Sequence, residues 1–371
     1  EKATKQHNGT STLHNASTLR ERARQMDKSF LINLVDSLTN TTQLTWTRLH
    51  ITDDVLVQMK SQMTATTLMF LVMTMSVVSF IVLFLIRELY TLLTMKSLKD
   101  KVVLVTGGAS GIGRLIAKKC AQMGSIVVIW DINDEWLSKT VRELESIQSN
   151  NRVFGYKVDI TDYNRVNQVA QQVREDVGAG VDVLINNAGV VIGKSLLAAS
   201  EKEIALTLNV NTLALFWTTR AFLPDMMKKK EGHLVTVASA CGIAATSGMP
   251  DYCTSKFGAI GFNESMRVEL KESADTRNIR TLCVCPYYIN TGMFTGVNNG
   301  RVLPLLEPEY VAERIVTSIQ RGDEMLILPW ICKTSYFWKF FVPVWLQDWG
   351  LDFLGVTRSM KTFKGRMGET K

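Results

Sequence analysis

The sequence predicts an α/β domain built on a doubly wound parallel sheet of about seven strands, preceded by a single transmembrane helix. Three observations carry this reading. Between residues 101 and 329, short apolar β-branched runs alternate with longer segments of helical periodicity. The first run leads into a glycine-rich turn, Thr106-Gly107-Gly108-Ala109-Ser110-Gly111-Ile112-Gly113, and then into a helical pattern from Arg114. Upstream, no charged residue lies between Lys60 and Arg87.

Composition sets the outer bounds. The chain has 371 residues, 46% of them hydrophobic and 21% charged, which excludes a mainly disordered protein. Seven prolines and 24 glycines exclude a collagen-like chain. Six scattered cysteines exclude a disulfide-stapled miniature fold. A net charge of +7 raises the question of nucleic acid. Much of the excess sits beside the apolar stretch and at the basic C-terminus, where anionic lipid explains it and no nucleic-acid partner is expected. The chain starts at Glu1 rather than Met, so further sequence is expected upstream.

Residues 1–60 form a polar segment rich in Ser, Thr and Asn. Phe30, Leu31, Leu34, Val35 and Leu38 recur at helical spacing, which allows a short amphipathic helix. Asn-x-Ser/Thr sequons stand at Asn8, Asn15 and Asn40, though a tail of this composition produces such triplets freely. Residues 61–88 are expected to be the transmembrane signal-anchor. Its core, Leu68–Ile86, is apolar but for Thr74, Ser76 and Ser79. About 20 helical residues cross the roughly 30 Å hydrocarbon layer. Arg87, Lys96, Lys99 and Lys101 follow the span, whereas only Arg48 and Lys60 precede it closely. That asymmetry puts the C-terminal side in the cytosol and the N-terminal segment in the lumen.

The expected strands are Val102–Thr106, Ile126–Trp130, Val153–Val158, Val183–Asn186, His233–Ala238, Arg280–Cys285 and Met325–Leu328. Runs that are apolar on both sides mean burial on both faces, as in a parallel sheet. Parallel neighbours joined through helices make right-handed crossovers. Cys283 and Cys285 alternate along one run, so they share a face and read as core. With no CxxC pair and no His cluster, no metal site is expected.

The glycine-rich turn lies between a strand and a helix, where glycines let backbone N–H groups approach a pyrophosphate at a helix N-terminus. Its spacing is TGxxxGxG rather than the common GxGxxG. Asp131 ends the second apolar run. A carboxylate there accepts from ribose hydroxyls and repels a 2′-phosphate, which favours NAD over NADP. An Asp that merely opens the turn 131–134 is the plainer alternative.

Several motifs now stand in order: TGGASGIG at 106–113, Asn186-Asn187-Ala188-Gly189, Ser239, and Tyr252-Cys253-Thr254-Ser255-Lys256. Over roughly residues 99–330 the chain resembles the short-chain dehydrogenase/reductase family, with its Rossmann-type fold. Phe216-Trp217-Thr218-Thr219, Cys285-Pro286-Tyr287-Tyr288, Thr291-Gly292-Met293-Phe294 and the tail 361–366 resemble its membrane-bound retinol and 17β-hydroxysteroid dehydrogenase branch.

The resemblance implies a catalytic set of Asn211, Ser239, Tyr252 and Lys256. An ordinary Tyr, with a pKa near 10, is a poor base at neutral pH. Lys256 is four residues on, so on one helix it shares a face with Tyr252 and is expected to acidify the phenol. Ser239 would hold the substrate oxygen, and Asn211 would anchor a proton-relaying water. The implied cofactor contacts are Thr106, Gly107, Ser110, Gly111, Ile112, Gly113, Asp131, Asp159, Ile160, Asn187, Ala188, Gly189, Pro286, Ile289 and Thr291, together with Tyr252 and Lys256. The family's Pro-Gly becomes Pro286-Tyr287 here, which puts the local backbone in question.

The substrate wall is expected from 190–197, 241–249 and 287–303, which are largely apolar and carry no Arg clamp. Residues 331–371 form an aromatic and basic segment, either lying on a membrane or covering the pocket. The expectation is therefore a membrane-bound NAD-dependent oxidoreductase for a hydrophobic alcohol, with retinol/retinal leading and a 17β-hydroxysteroid as alternative. A catalytically idle membrane or lipid-droplet interaction protein is the rival class. The expected partners are membrane lipid and a hydrophobic small molecule, with a homodimer left open. The expected location is the endoplasmic reticulum membrane, or else a lipid droplet.

Overall fold

The computed structural model describes residues 42–148, 152–298 and 303–365. The expected helix around Phe30–Leu38, the three sequons and the tail from Arg366 lie outside them. The chain divides into two units, Glu1–Arg87 and Glu88–Lys371.

The described part of the first unit belongs to one helix, α1 (Thr42–Leu93). Its segment Lys60–Thr91, with a mean hydropathy of 2.7 over an 18-residue window, is long and apolar enough to cross a membrane. The sequence places the start of a helix near residue 61, yet helix runs back to Thr42. A nucleated helix gains one backbone hydrogen bond per added residue, so it extends readily into polar sequence. The apolar side chains of the span are exposed, with no polar face to separate a core side from a water side. The Thr74 and Ser76 hydroxyls turn back onto the helix. Ser76 Oγ donates to Val72 O at 2.8 Å, and Thr74 Oγ1 to Leu71 O at 2.9 Å. These groups therefore need no water, as an apolar surrounding requires.

The second unit holds a seven-stranded sheet of β1 (Val102–Thr106), β2 (Ile126–Asp131), β3 (Val153–Lys157), β4 (Val183–Asn186), β5 (Gly232–Val237), β6 (Ile279–Pro286) and β7 (Met325–Leu328). The order is β3-β2-β1-β4-β5-β6-β7 and every pairing is parallel. Each strand falls within a residue or two of its expected place. Six are legible because their residues are almost all buried on both faces, so the runs are continuous, whereas the edge strand β3 exposes Gly155 and Lys157.

Val103 and Val105 face one layer, where α2 (Gly111–Gln122), α3 (Asp134–Glu145) and α8 (Pro308–Arg321) contribute Ile116, Leu137 and Ile315. Val102 and Leu104 face the other, where α4 (Tyr163–Val177) and α6 (Ala214–Lys229) contribute Val169 and Phe222. Helix α7 (Pro250–Glu272) completes that side through Ala259, Ile260 and Phe262, packed with Cys283 and Cys285. Those two thiols lie 3.8 Å apart on one strand face, as their spacing predicts. The chain winds outward from β1 to β3, then returns to β4 and winds the other way. The crevice that opens where such an order reverses therefore lies at the carboxyl ends of β1 and β4.

Candidate active site

The turn after β1 needs its glycines. Gly107 and Gly111 stand at φ +60° and +53°, in the left-handed region. A Cβ on Gly107 would lie 2.8 Å from Ala188 Cα, and one on Gly113 would lie 2.2 Å from Gly107 O. The turn is thus pressed against the loop that follows β4. Thr106 ties the two together, since its Oγ1 accepts from Asn187 N at 3.0 Å and Ala188 N at 3.1 Å. Asn187 Nδ2 in turn donates to Thr106 O and Gly107 O, at 2.9 and 3.1 Å.

The Asp131 carboxylate sits at the tip of β2, against the turn. Its Oδ2 accepts from Ala109 N and its Oδ1 from Asn133 N, both at 3.0 Å. Each oxygen keeps a lone pair for a further donor. Asp159 accepts from Thr161 N and Oγ1, at 2.9 and 2.7 Å, which orders the loop after β3.

Tyr252 and Lys256 stand one turn apart on α7, both buried. Lys256 Nζ donates to Val237 O at 2.9 Å and lies 5.7 Å from the Tyr252 ring centroid. Ser239 follows β5 and opens a 3₁₀ turn, its Oγ accepting from Cys241 N at 3.1 Å. That turn packs directly on α7, because a Cβ on Gly242 would lie 2.5 Å from Lys256 O.

Helix α5 (Glu201–Leu208) passes into α6 through a π-helical turn, Asn209–Leu213. A π turn re-aims the side chains within it. Asn211 is buried there, with Nδ2 donating to Val190 O and Ser255 Oγ and Oδ1 accepting from Val190 N, all at 2.8–2.9 Å. The missing Cβ of Gly189 would stand 3.3 Å from Asn211 Oδ1 and 3.5 Å from Lys256 Nζ, so these two polar groups converge behind the loop.

Burial dominates the electrostatics. It lowers the Lys256 ammonium to about 8. It raises the Tyr252 phenol above its ordinary range, with Cys241 adding to the rise and the Ser239 hydroxyl opposing it. The expected acidification of the phenol by Lys256 is thus not delivered by the protein's own groups. The ammonium lies over the ring face and is held by a backbone carbonyl, while burial penalises the phenolate.

One cavity of about 1210 Å³ joins these parts. Gly107, Ser110, Gly111, Ile112, Gly113, Asp131, Asp159, Ile160, Asn187, Ala188, Gly189, Ser239, Tyr252, Lys256, Pro286, Ile289 and Thr291 all line it. Thr106 and Asn211 are buried behind the wall and shape it through hydrogen bonds. Tyr287 bonds through its N to Leu328 O at 2.7 Å, and its φ is not positive. The Tyr in place of Gly is therefore accommodated without backbone strain.

The apolar end of the cavity takes Val190, Cys241, Tyr288 and Phe294 from the expected wall segments. Leu197, expected among them, is 98% exposed and takes no part, because residues 196–198 form an outward turn. The sequence left the role of the C-terminal segment open. Trp338 of α9 (Thr334–Phe341) and Leu346 and Trp349 of α10 (Val344–Phe353) also line the cavity. A strap after α10 then closes onto the substrate end. Thr246 Oγ1 donates to Val356 O at 2.8 Å, the Tyr288 and Ser359 hydroxyls meet at 3.2 Å, and Met360 is buried beside Tyr252. Among the described residues no group of side chains could hold a metal ion.

Residues 101–301 match the family described as short chain dehydrogenase. The chain belongs to that family. It is 39% identical to human epidermal retinol dehydrogenase 2 over 270 residues, covering 72% of this chain and 86% of that one. It is 38% identical to human retinol dehydrogenase 10 over 295 residues, with the same shares. Among solved structures it resembles an alcohol dehydrogenase from the archaeon Thermococcus sibiricus, complexed with 5-hydroxy-NADP. That match has a TM-score of 0.54 and 26% identity and covers 62% of this chain and 95% of the other. A short-chain dehydrogenase from Burkholderia phymatum in complex with NAD shares the fold, with a TM-score of 0.59 and 24% identity over 70% of this chain and 97% of the other. This short-chain dehydrogenase is an oxidoreductase of CH–OH groups. The glycine turn lines the cavity at the N-terminus of α2, and that arrangement fits a nicotinamide dinucleotide.

Proposed function

We propose that the protein is an NAD-dependent dehydrogenase that interconverts retinol and retinal, with its catalytic unit in the cytosol at the endoplasmic reticulum membrane. One observation carries the reading. Ser239, Tyr252 and Lys256 meet where the glycine cradle opens into an apolar cavity. The Asp131 carboxylate supports NAD, since a 2′-phosphate beside it would meet like charge. The apolar wall, with no Arg among its described residues, suits a substrate that presents one polar group.

Gly107, Gly111 and Gly113 would hold the pyrophosphate, Asp131 the adenosine ribose, and Thr291 the nicotinamide end. When bound, the oxidised cofactor supplies the hydride acceptor and a positive charge near the phenol. Ser239 Oγ and the Tyr252 hydroxyl hold the alcohol oxygen. Tyr252, as phenolate, takes the hydroxyl proton while the carbinol carbon gives up its hydride, leaving the carbonyl. Lys256 stands over the ring and stabilises the anion, and Asn211 holds the polar pocket behind Gly189 through which the proton leaves.

The test is turnover by the full chain in detergent, with NAD or NADP and a panel of retinoids and 17β-hydroxysteroids. Oxidation of retinol with NAD is expected, whereas turnover confined to steroids or to NADP would overturn the corresponding part. For topology, protease outside sealed microsomes should remove the catalytic unit. Complete protection would reverse the orientation.

A further inference from the structure

We propose that the outer face of α9 and α10 seats on a lipid bilayer, and that the hydrophobic substrate enters the cavity from the lipid through this face. The entry route rests on the dehydrogenase reading above, but the seating does not. Phe340, Phe341 and Trp345 are 85%, 73% and 70% exposed and take no part in the cavity. A contiguous aromatic face of this kind is a mark of an interaction surface. Trp338, Trp349 and Phe353 line the cavity, yet each is more than half exposed. A residue with both properties stands at a mouth. The cavity therefore opens at the aromatic face, where the exposed Lys339 and Asp348 also reach its lining.

Two observations select lipid as the occupant. Exposed Lys333, Lys361 and Lys364 stand on either side of the two helices in the chain, and basic side chains around an aromatic face suit an interface with anionic headgroups. The same chain also carries the apolar segment Lys60–Thr91, and only the short connector 94–101 separates α1 from β1. A connector of that length reaches at most about 28 Å, so a bilayer held by α1 would lie close to this unit.

The experiment uses the full chain in phosphatidylcholine/phosphatidylserine vesicles. Phe340→Cys and Trp345→Cys are labelled with a polarity-sensitive dye, with the native chain labelled in parallel to subtract its own cysteines. Gln172→Cys, exposed on α4, is the aqueous control. Dye at 340 and 345 should be quenched by spin-labelled lipid and spared by iodide, with the reverse at 172. Quenching by iodide as at 172, or by neither agent as under a protein partner, would overturn the seating. The triple variant Phe340→Glu, Phe341→Glu, Trp345→Glu should raise KM at least tenfold for a long-chain alcohol delivered in vesicles and leave KM for a short water-soluble alcohol unchanged. An unchanged KM for both would overturn the entry route. Lipid quenching without turnover of any alcohol would keep the seating and refute the dehydrogenase reading.

Discussion

The Lys256 ammonium lies over the face of the Tyr252 ring, 5.7 Å from its centroid, and is held there by the Val237 carbonyl at 2.9 Å. Both groups are buried, and burial disfavours the charged form of each. The protein alone therefore stores the phenol protonated. A positive charge brought into the cavity shifts the balance toward phenolate, so base strength becomes conditional on oxidised cofactor.

A difference titration reads this directly. Phenolate absorbance of the native chain minus that of Tyr252→Phe should stay flat to pH 10 without cofactor, because the Tyr252 phenol lies above its ordinary range. With saturating NAD⁺ the difference should appear at lower pH. A phenolate step below pH 10 in the cofactor-free protein would contradict it.

Lys256 also makes stability depend on pH. Burial lowers the folded ammonium from 10.5 to about 8, so above that value the native state sheds a proton the unfolded chain still keeps. Stability contributed by this site therefore rises as pH climbs from about 8 to about 10.5, by up to about 3 kcal/mol. Urea unfolding of the native chain and of Lys256→Met should show the difference growing in favour of the native chain across that window. A constant difference would refute the assignment.

Asp131 governs the choice of cofactor. Replacing it by Ser removes the charge that faces a 2′-phosphate and keeps a small acceptor. Asp131→Ser should raise kcat/KM for NADP about tenfold, equivalent to about 1.4 kcal/mol. It should lower kcat/KM for NAD. Unchanged preference would show that the carboxylate serves only the turn, where it accepts from Asn133 N.

Gly193 tests the C-terminal strap. It stands at φ +69°, and a Cβ there would meet the Phe363 ring at 2.2 Å. Gly193→Val should displace the strap, lower stability by about 1–3 kcal/mol and open the strap to limited proteolysis. Cleavage no faster than in the native chain would show that the strap does not depend on this contact.

Much of this was legible before the structure. The β strands announce themselves because residues such as Val103 and Leu104 face opposite layers that are both apolar. Tyr252 and Lys256 converge because helical spacing alone puts them on one face. What stayed hidden depends on contacts between distant parts of the chain. Asn211 is aimed by a π turn that periodicity does not reveal. The place of Trp338 and Trp349 over the cavity is a matter of tertiary packing, which local pattern left undecided. The raised phenol was missed because spacing reports the nearness of Lys256 and says nothing of the desolvation that outweighs it.

The most direct measurement compares the full native chain with Tyr252→Phe in detergent, following retinol-dependent formation of NADH and, separately, NADH binding. Native turnover, a loss of about 10³-fold in the variant and undiminished binding are expected. Turnover by the variant at the native rate, or no oxidation of any hydrophobic alcohol by the native chain, would contradict the assignment.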